Sequence, residues 1–276
     1  MASPILEACM LATMLVSTDS TNGTGFLLGH MRTEDSGKVF LITNKHVVFP
    51  HPKFRIYPTR ISLTYNVDGR NGSLESKTVD APLIYPDGTQ LWREHPNRDV
   101  DVLAIDVTWL VVKHEDLAAR WFRSDNIPDS SALSNHLITV GDEICVIGYP
   151  ATYPAVVSKL PVLREGVIST LFGMQYQDSI VDDGKMRQRT LPAFLFDGAA
   201  IPGSSGSPVV LKPQHEQYGP EGFSFLPTAR WYLVGIVAET SYALVPVGRN
   251  QPITFSGLGL AFDAMTIRET IDLFFK

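Results

Sequence analysis

The densest group of residues able to do chemistry is Gly203-Ser204-Ser205-Gly206-Ser207-Pro208, which feeds the apolar run Val209-Val210-Leu211. A serine between glycines, closed by proline ahead of a β run, suits acyl transfer, in which nucleophile and oxyanion hole share one turn. Small residues let the backbone approach a bound carbonyl closely, and two main-chain N–H groups can point at the oxygen that gains charge. Ser205 is the expected nucleophile, and the N–H groups of Gly203 and Ser205 are the expected hole. An ordinary Gly/Ser loop before a strand has the same composition, so the partners decide. One candidate partner lies in Asp99-Val100-Asp101-Val102-Leu103-Ala104-Ile105-Asp106-Val107. An acid opening an apolar strand is costly to bury without a hydrogen-bonding partner, and a catalytic histidine would supply one. Asp101 fits that role; Asp99, on the same strand face, is the alternative, and Asp106 reads as a strand-end carboxylate facing solvent.

The elements that must position these groups are short. With 21 Gly and 19 Pro among 276 residues, 44% hydrophobic and 19% charged, the composition favours many strands and turns over long helices. The length suits one large β domain or two lobes. A formal net charge of −6 argues against nucleic acid as a partner. No apolar run reaches the ~18 residues of a spanning helix, so no membrane partner is expected. Cys9 and Cys145 provide no disulfide framework and suit a reducing, cytoplasmic compartment. None of the seven histidines stands in a metal-ligand spacing with Cys, Asp or Glu, and no cofactor is expected.

Along the chain, residues 5–16 read as a first strand; the stretch from Ala8 to Val16 lacks the basic flank of a signal peptide. A polar turn follows from Ser17 to Gly23, then strands Gly23–Leu28 and Val39–Thr43, the second ending at Asn44-Lys45-His46. More β material runs from Phe54 to Tyr85. Residues 112–135 are mixed and polar, with a short helix expected over Glu115–Phe122, and look like a linker. A second β set comprises Leu137–Pro150, Val162–Ser169, a long hairpin turning at Asp182-Asp183-Gly184, the return Phe194–Asp197, and the strands Trp231–Ala238 and Gly257–Phe262. Thr266 and Glu269 have capping-box spacing, and Ile267, Ile271 and Phe274 share one face of a terminal helix.

Gly23-Thr24-Gly25-Phe26, an apolar strand ending Thr43-Asn44-Lys45-His46-Val47, then Gly148-Tyr149-Pro150, Gly166-Val167-Ile168-Ser169 and the serine turn occur in that order. Together they resemble the trypsin/chymotrypsin-like serine proteases of the bacterial, non-zymogen kind, here without a PDZ domain. The resemblance implies an all-β fold of two six-stranded antiparallel barrels with a C-terminal helix on the outside. The N-terminal barrel would span 1–115, an inter-barrel linker 116–135, the C-terminal barrel 136–262 and the helix 263–276. It implies His46 as general base, Asp101 as its orienting acid and Ser205 as nucleophile, in chymotrypsin-type order. The alanine after Asp101 stands one place later than is commonest.

The same resemblance implies a serine endopeptidase working through an acyl-enzyme on protein or peptide substrates. Ser204 replaces the acid that digestive members use to receive a cut N-terminus, so activation by N-terminal processing is not expected. Any gating would come from a mobile loop, an oligomer contact or a regulatory partner protein. Ala199, Ala238 and Thr240 fall at the substrate pocket, which implies a shallow apolar pocket preferring small or medium aliphatic side chains. Insertions at 174–192 and 212–229 bear on that pocket. Two other classes stay open: a pseudoprotease scaffold that binds a partner in the cleft, and an esterase using the same three residues.

Overall fold

The computed structural model describes residues 4–33, 36–49, 58–68, 73–114, 120–134, 137–151, 159–182, 184–198, 201–219, 222–244 and 253–276. The first sheet contains β1 (Thr13–Ser17), β2 (Asn22–Thr33), β3 (Ser36–Thr43), β4 (Arg60–Asp68), β5 (Leu74–Pro82), β6 (Trp92–Glu94), β7 (Leu103–Asp106) and β8 (Phe122–Arg123). Its order is β5-β4-β1-β2-β3-β7-β6, with β8 paired to β2 in parallel. The sheet curls onto itself through residues 83–91. Leu83 N donates to Thr59 O, Leu91 N to Leu83 O, and Asp106 N to Leu91 O.

The second sheet contains β9 (Glu143–Gly148), β10 (Val162–Ile168), β11 (Gln175–Asp182), β12 (Lys185–Asp197), β13 (Pro208–Leu211), β16 (Leu233–Leu244) and β17 (Ile253–Asp263), while β14 (Gln214–Gly219) and β15 (Gly222–Arg230) pair separately. Its order is β10-β9-β13-β16-β17-β12-β11, and a further β10–β12 pairing closes six of these strands into a ring. Beyond the six strands expected per barrel, the first sheet adds β6 and β8, and the second adds β11, which hangs from the ring as one arm of a hairpin.

Both faces of β2 and β3 are covered, which explains their unbroken apolar runs. Leu27, Val39 and Leu41 point into the first sheet's own core. Phe26, Leu28, Phe40 and Ile42 point the other way, into a cluster that also contains Ile147, Val210 and Phe262 of the second sheet. The two lobes therefore share apolar packing. No helix among the described residues is long and apolar enough to cross a membrane. Cys9 and Cys145 are buried thiols outside any disulfide, and burial pushes them up to about 12 and about 11 respectively.

Three local expectations are corrected. Residues 5–16 are not one strand: α1 (Pro4–Leu11) precedes β1. Pro4 occupies the first helical position, where its missing N–H costs nothing, and a run apolar at nearly every position carries no period to separate helix from strand. Besides α1 and the one-turn α2 (Lys45–Val48), the α-helices among the described residues are α3 (Thr108–Lys113), α4 (Ser130–Ser134) and α5 (Met265–Ile271). The helix expected over Glu115–Phe122 is not formed at its end, since Phe122 belongs to β8; residues 115–119 lie outside the described set. The capping box is also absent. Thr266 sits inside α5 and donates to Asp263 O at 2.7 Å, Glu269 meets His95 Nε2 at 2.8 Å, and Met265 N donates to Asp263 Oδ1 at 2.9 Å.

Candidate active site

The end of β3 delivers His46. After Thr43 the chain passes through extended Asn44 into α2, a single turn held down by buried Val47 and Val48, and the imidazole of His46 just ahead of them stays half exposed. Its Nδ1 is hydrogen-bonded to Asp101 Oδ2. The backbone N–H of His46 donates to the other oxygen, Oδ1, at 3.2 Å, so one carboxylate grips both ring and main chain. Asn44 Nδ2 donates to Asp101 O at 2.6 Å, fixing the acid's own backbone. In a neutral ring this arrangement holds the proton on Nδ1 and leaves Nε2 as the basic nitrogen.

Asp101 stands two residues ahead of β7. The alternative acid, Asp99, is turned to a different partner: Arg187 of β12 meets it with Nη1–Oδ2 at 2.7 Å and Nη2–Oδ1 at 2.6 Å. That guanidinium holds the Asp99 carboxyl below the usual carboxylate range. Asp106 is less exposed than a solvent-facing reading implies; it accepts from Lys38 Nζ at 2.7 Å and from Thr108 Oγ1 at 2.6 Å.

The Ser205 turn lies in the second lobe. Gly203 and Gly206 have φ of +90° and +84°, a region that favours glycine. A Cβ at Gly206 would collide with Thr24 O, and one at Gly203 with Tyr149 O and Ala151 N. Backbone donors in the turn divide into two groups. Ser204 N donates to Ile201 O, Gly206 N to Val237 O and Ser207 N to Ser204 O, whereas Gly203 N and Ser205 N donate to no backbone carbonyl among the described residues. Ser204 is buried, and its Oγ accepts from Arg164 Nη2 at 2.8 Å and Ile201 N at 3.3 Å.

Thr24 ties this turn to the histidine strand. Its N–H donates to Ser205 O at 2.9 Å, and its Oγ1 donates to Gly203 O at 3.0 Å while accepting from Tyr149 N at 3.0 Å. Its carbonyl accepts from Thr43 Oγ1 at 2.7 Å, three residues before His46. One threonine thus joins the serine turn, the end of β9 and the end of β3, the strand that leads to His46. Thr24, Asn44 and Arg187 were not among the expected site residues; for Thr24 the available signal was its place between Gly23 and Gly25.

β16 flanks the turn, since Val237 N donates to Ser207 O at 2.9 Å, and Ala238 beside it is buried. Thr240 continues β16 opposite Gly259, but its side chain lies outside the described residues, as does Ala199 altogether. Among the described residues no cluster of His, Cys, Asp or Glu could hold a metal ion. Chemically the arrangement offers an oriented imidazole, a hydroxyl on a tight turn and two N–H donors.

A sequence profile of the trypsin-like peptidase domain matches residues 23–218. Among solved structures, the active form of the Rv3671c protease from M. tuberculosis aligns with a TM-score of 0.53 at 14% identity, covering 98% of this chain and 83% of that one. The inactive form of the Rv3671c protease aligns with a TM-score of 0.51 at 14% identity, covering 98% and 92%. Likeness at this identity concerns the fold. No curated protein matches the sequence.

Proposed function

This chain belongs to the trypsin-like peptidase domain family and is a serine endopeptidase; we propose that His46, Asp101 and Ser205 are its catalytic triad. The observation that carries the reading is the double grip of Asp101 on His46. In the proposed reaction Ser205 Oγ attacks the scissile carbonyl of a protein or peptide substrate, and His46 Nε2 takes the hydroxyl proton. Asp101 keeps the ring in the required tautomer and stabilises the imidazolium. The oxygen that gains charge is received by Gly203 N and Ser205 N, which donate to no backbone carbonyl among the described residues, in support of that role, and each such donor is worth about 10²- to 10³-fold in rate. His46 returns the proton to the leaving amine, and a water activated by the same ring releases the acyl group from Ser205.

The place of the small residue Ala238 on β16, next to Val237 whose N–H donates to Ser207 O, supports a preference for small or medium aliphatic side chains before the cut. A peptide library should be cleaved chiefly after such residues; a profile dominated by Arg, Lys or Asp overturns this preference. The two buried thiols, outside any disulfide, support a reducing compartment such as the cytoplasm.

Fluorophosphonate labelling followed by intact-mass analysis tests the triad. Wild type should take one adduct and Ser205→Ala none. Asp101→Asn should react about 10³- to 10⁴-fold more slowly, because an amide cannot hold the ring in the same tautomer. Folded wild type that stays unlabelled, or Ser205→Ala that still takes the adduct, removes Ser205 from the nucleophile's role.

A further inference from the structure

The segment that carries Asp101 is held from two directions. On the first-lobe side, Asp101 bonds to His46 and Asn44. Upstream the segment is irregular: Val100 N donates to Asn97 O at 3.1 Å, Asp99 N to Asn97 Oδ1 at 3.0 Å, and regular strand begins only at Leu103. Such a stretch has no ladder on both sides to hold it in place. Its second hold comes from the other lobe, where Arg187 of the β11–β12 hairpin reaches Asp99 with both terminal nitrogens. A bidentate guanidinium–carboxylate pair fixes direction as well as distance.

The hairpin is stiffened behind this contact. Arg189 stands on β12 opposite Asp178 of β11, and the two form a second bidentate pair at 2.7 and 2.8 Å, with the Arg189 side chain only 9% exposed. Asp99 is 18% exposed and Arg187 30%, so the inter-lobe pair is partly withdrawn from water, where a two-pronged contact keeps its geometry better than a surface ion pair does. The hairpin also leads into the chemistry: β12 ends at Asp197, a few residues before the Ser205 turn.

We propose that the Arg187–Asp99 pair is an inter-lobe clamp through which the β11–β12 hairpin positions Asp101, and through it His46, against the Ser205 turn. The proposal rests on the triad reading above. Arg187 and Asp99 are positioning residues, since neither touches the reacting atoms. Val100 and Val102 on either side of Asp101 stay buried in the shared core and keep the segment folded when the pair is lost. Displacing a triad member by about 1 Å nevertheless costs up to about 10²-fold in rate, so losing the side-chain hold from the second lobe should be visible in turnover.

The test compares wild type, Arg187→Met, Asp99→Asn, the double variant and Arg187→Lys by fluorophosphonate labelling rate, by kcat and KM on one cleaved peptide, and by urea unfolding. Each single variant should label and turn over about 10-fold more slowly with KM within about 2-fold of wild type. The double variant should be no slower than either single, because both remove one contact, and Arg187→Lys should recover part of the rate. Asp99→Asn keeps the size of the side chain and serves if Arg187→Met does not fold. Folded single variants with wild-type kcat, a change confined to KM, or single effects that multiply in the double variant each overturn the clamp. Unlabelled wild type overturns the triad reading itself and the clamp with it, an outcome distinct from labelled wild type with unaffected variants.

Discussion

Thr24 shows how much of the site depends on a residue that takes no part in bond making. Its side chain satisfies Gly203 O and Tyr149 N, and its main chain satisfies Ser205 O and Thr43 Oγ1. Thr24→Val keeps the shape but removes the hydroxyl, leaving a carbonyl and an N–H without partners beside the serine turn. The expected cost is about 1–3 kcal/mol of stability. Because Gly203 is one of the proposed oxyanion donors, kcat should also fall about 10-fold. Thr24→Ser keeps the hydroxyl and should recover most of both losses. Urea unfolding and steady-state kinetics on the two variants check this, and a valine variant with the kcat of the serine variant rules out the positioning role. What could be read in the sequence at this scale follows the same logic. The serine turn stood out because close backbone approach restricts it to small residues, and Asp101 because an acid in an apolar run needs a reason. Thr24, Asn44 and Arg187 carry common side chains whose partners lie 179, 57 and 88 positions away. No local pattern marks such a pairing.

At the scale of elements, the strands around the site were legible from their apolar runs and Gly/Pro punctuation, and the β11–β12 turn falls at Gly184 with φ +77° as the Asp-Asp-Gly signal implied. The ends of helices were less legible. α1 is apolar on most sides, so only its contacts decide between helix and strand, and α5 takes its start from Asp263 rather than from Thr266. Asp263 precedes the N-cap Ala264 and is a buried carboxyl, and burial, with a smaller contribution from the nearby Glu269, pushes it up to about 6. A native pKa above the unfolded value means that the folded chain binds the extra proton between roughly pH 4 and 6. Asp263 therefore contributes stability that is fully present below about pH 4 and lost as pH rises through about 6. The loss amounts to roughly 3 kcal/mol. Asp263→Asn keeps an oxygen for Met265 N and carries no charge to desolvate, so it should be more stable than wild type by up to roughly 3 kcal/mol at pH 8, a gap that narrows toward pH 4. Unfolding midpoints at pH 4.5, 6 and 8 read this directly. A constant gap across that range would mean that Asp263 is not the titrating group.

At the scale of the molecule, the proposed catalytic groups are divided between lobes: His46 and Asp101 lie beside the first sheet and Ser205 leads into β13 of the second. Activity on this plan requires that the lobes hold one relative position, and two features couple them. One is the apolar cluster in which Phe26, Phe40 and Ala104 pack with Val210, Leu233 and Phe262. The other is α5, which follows the last strand of the second lobe but docks on the first. Its Glu269 meets His95, and Arg268 Nη2 donates to Ser124 O at 3.0 Å and Ile127 O at 3.3 Å. Ile267 and Ile271 of this helix are fully buried in the shared cluster. A chain built this way should unfold as one unit, although its length would allow two. Wild type should give a single calorimetric transition whose enthalpy matches the van't Hoff value, and peptidase activity should be lost over the same temperature range. Ile267→Ala, which leaves a cavity in the shared core, should cost about 2–5 kcal/mol and move that whole transition down without splitting it. If instead two transitions appear and the variant lowers only one, the lobes are independently stable and the seam around Thr24 and Arg187 must align the proposed triad without help from the core.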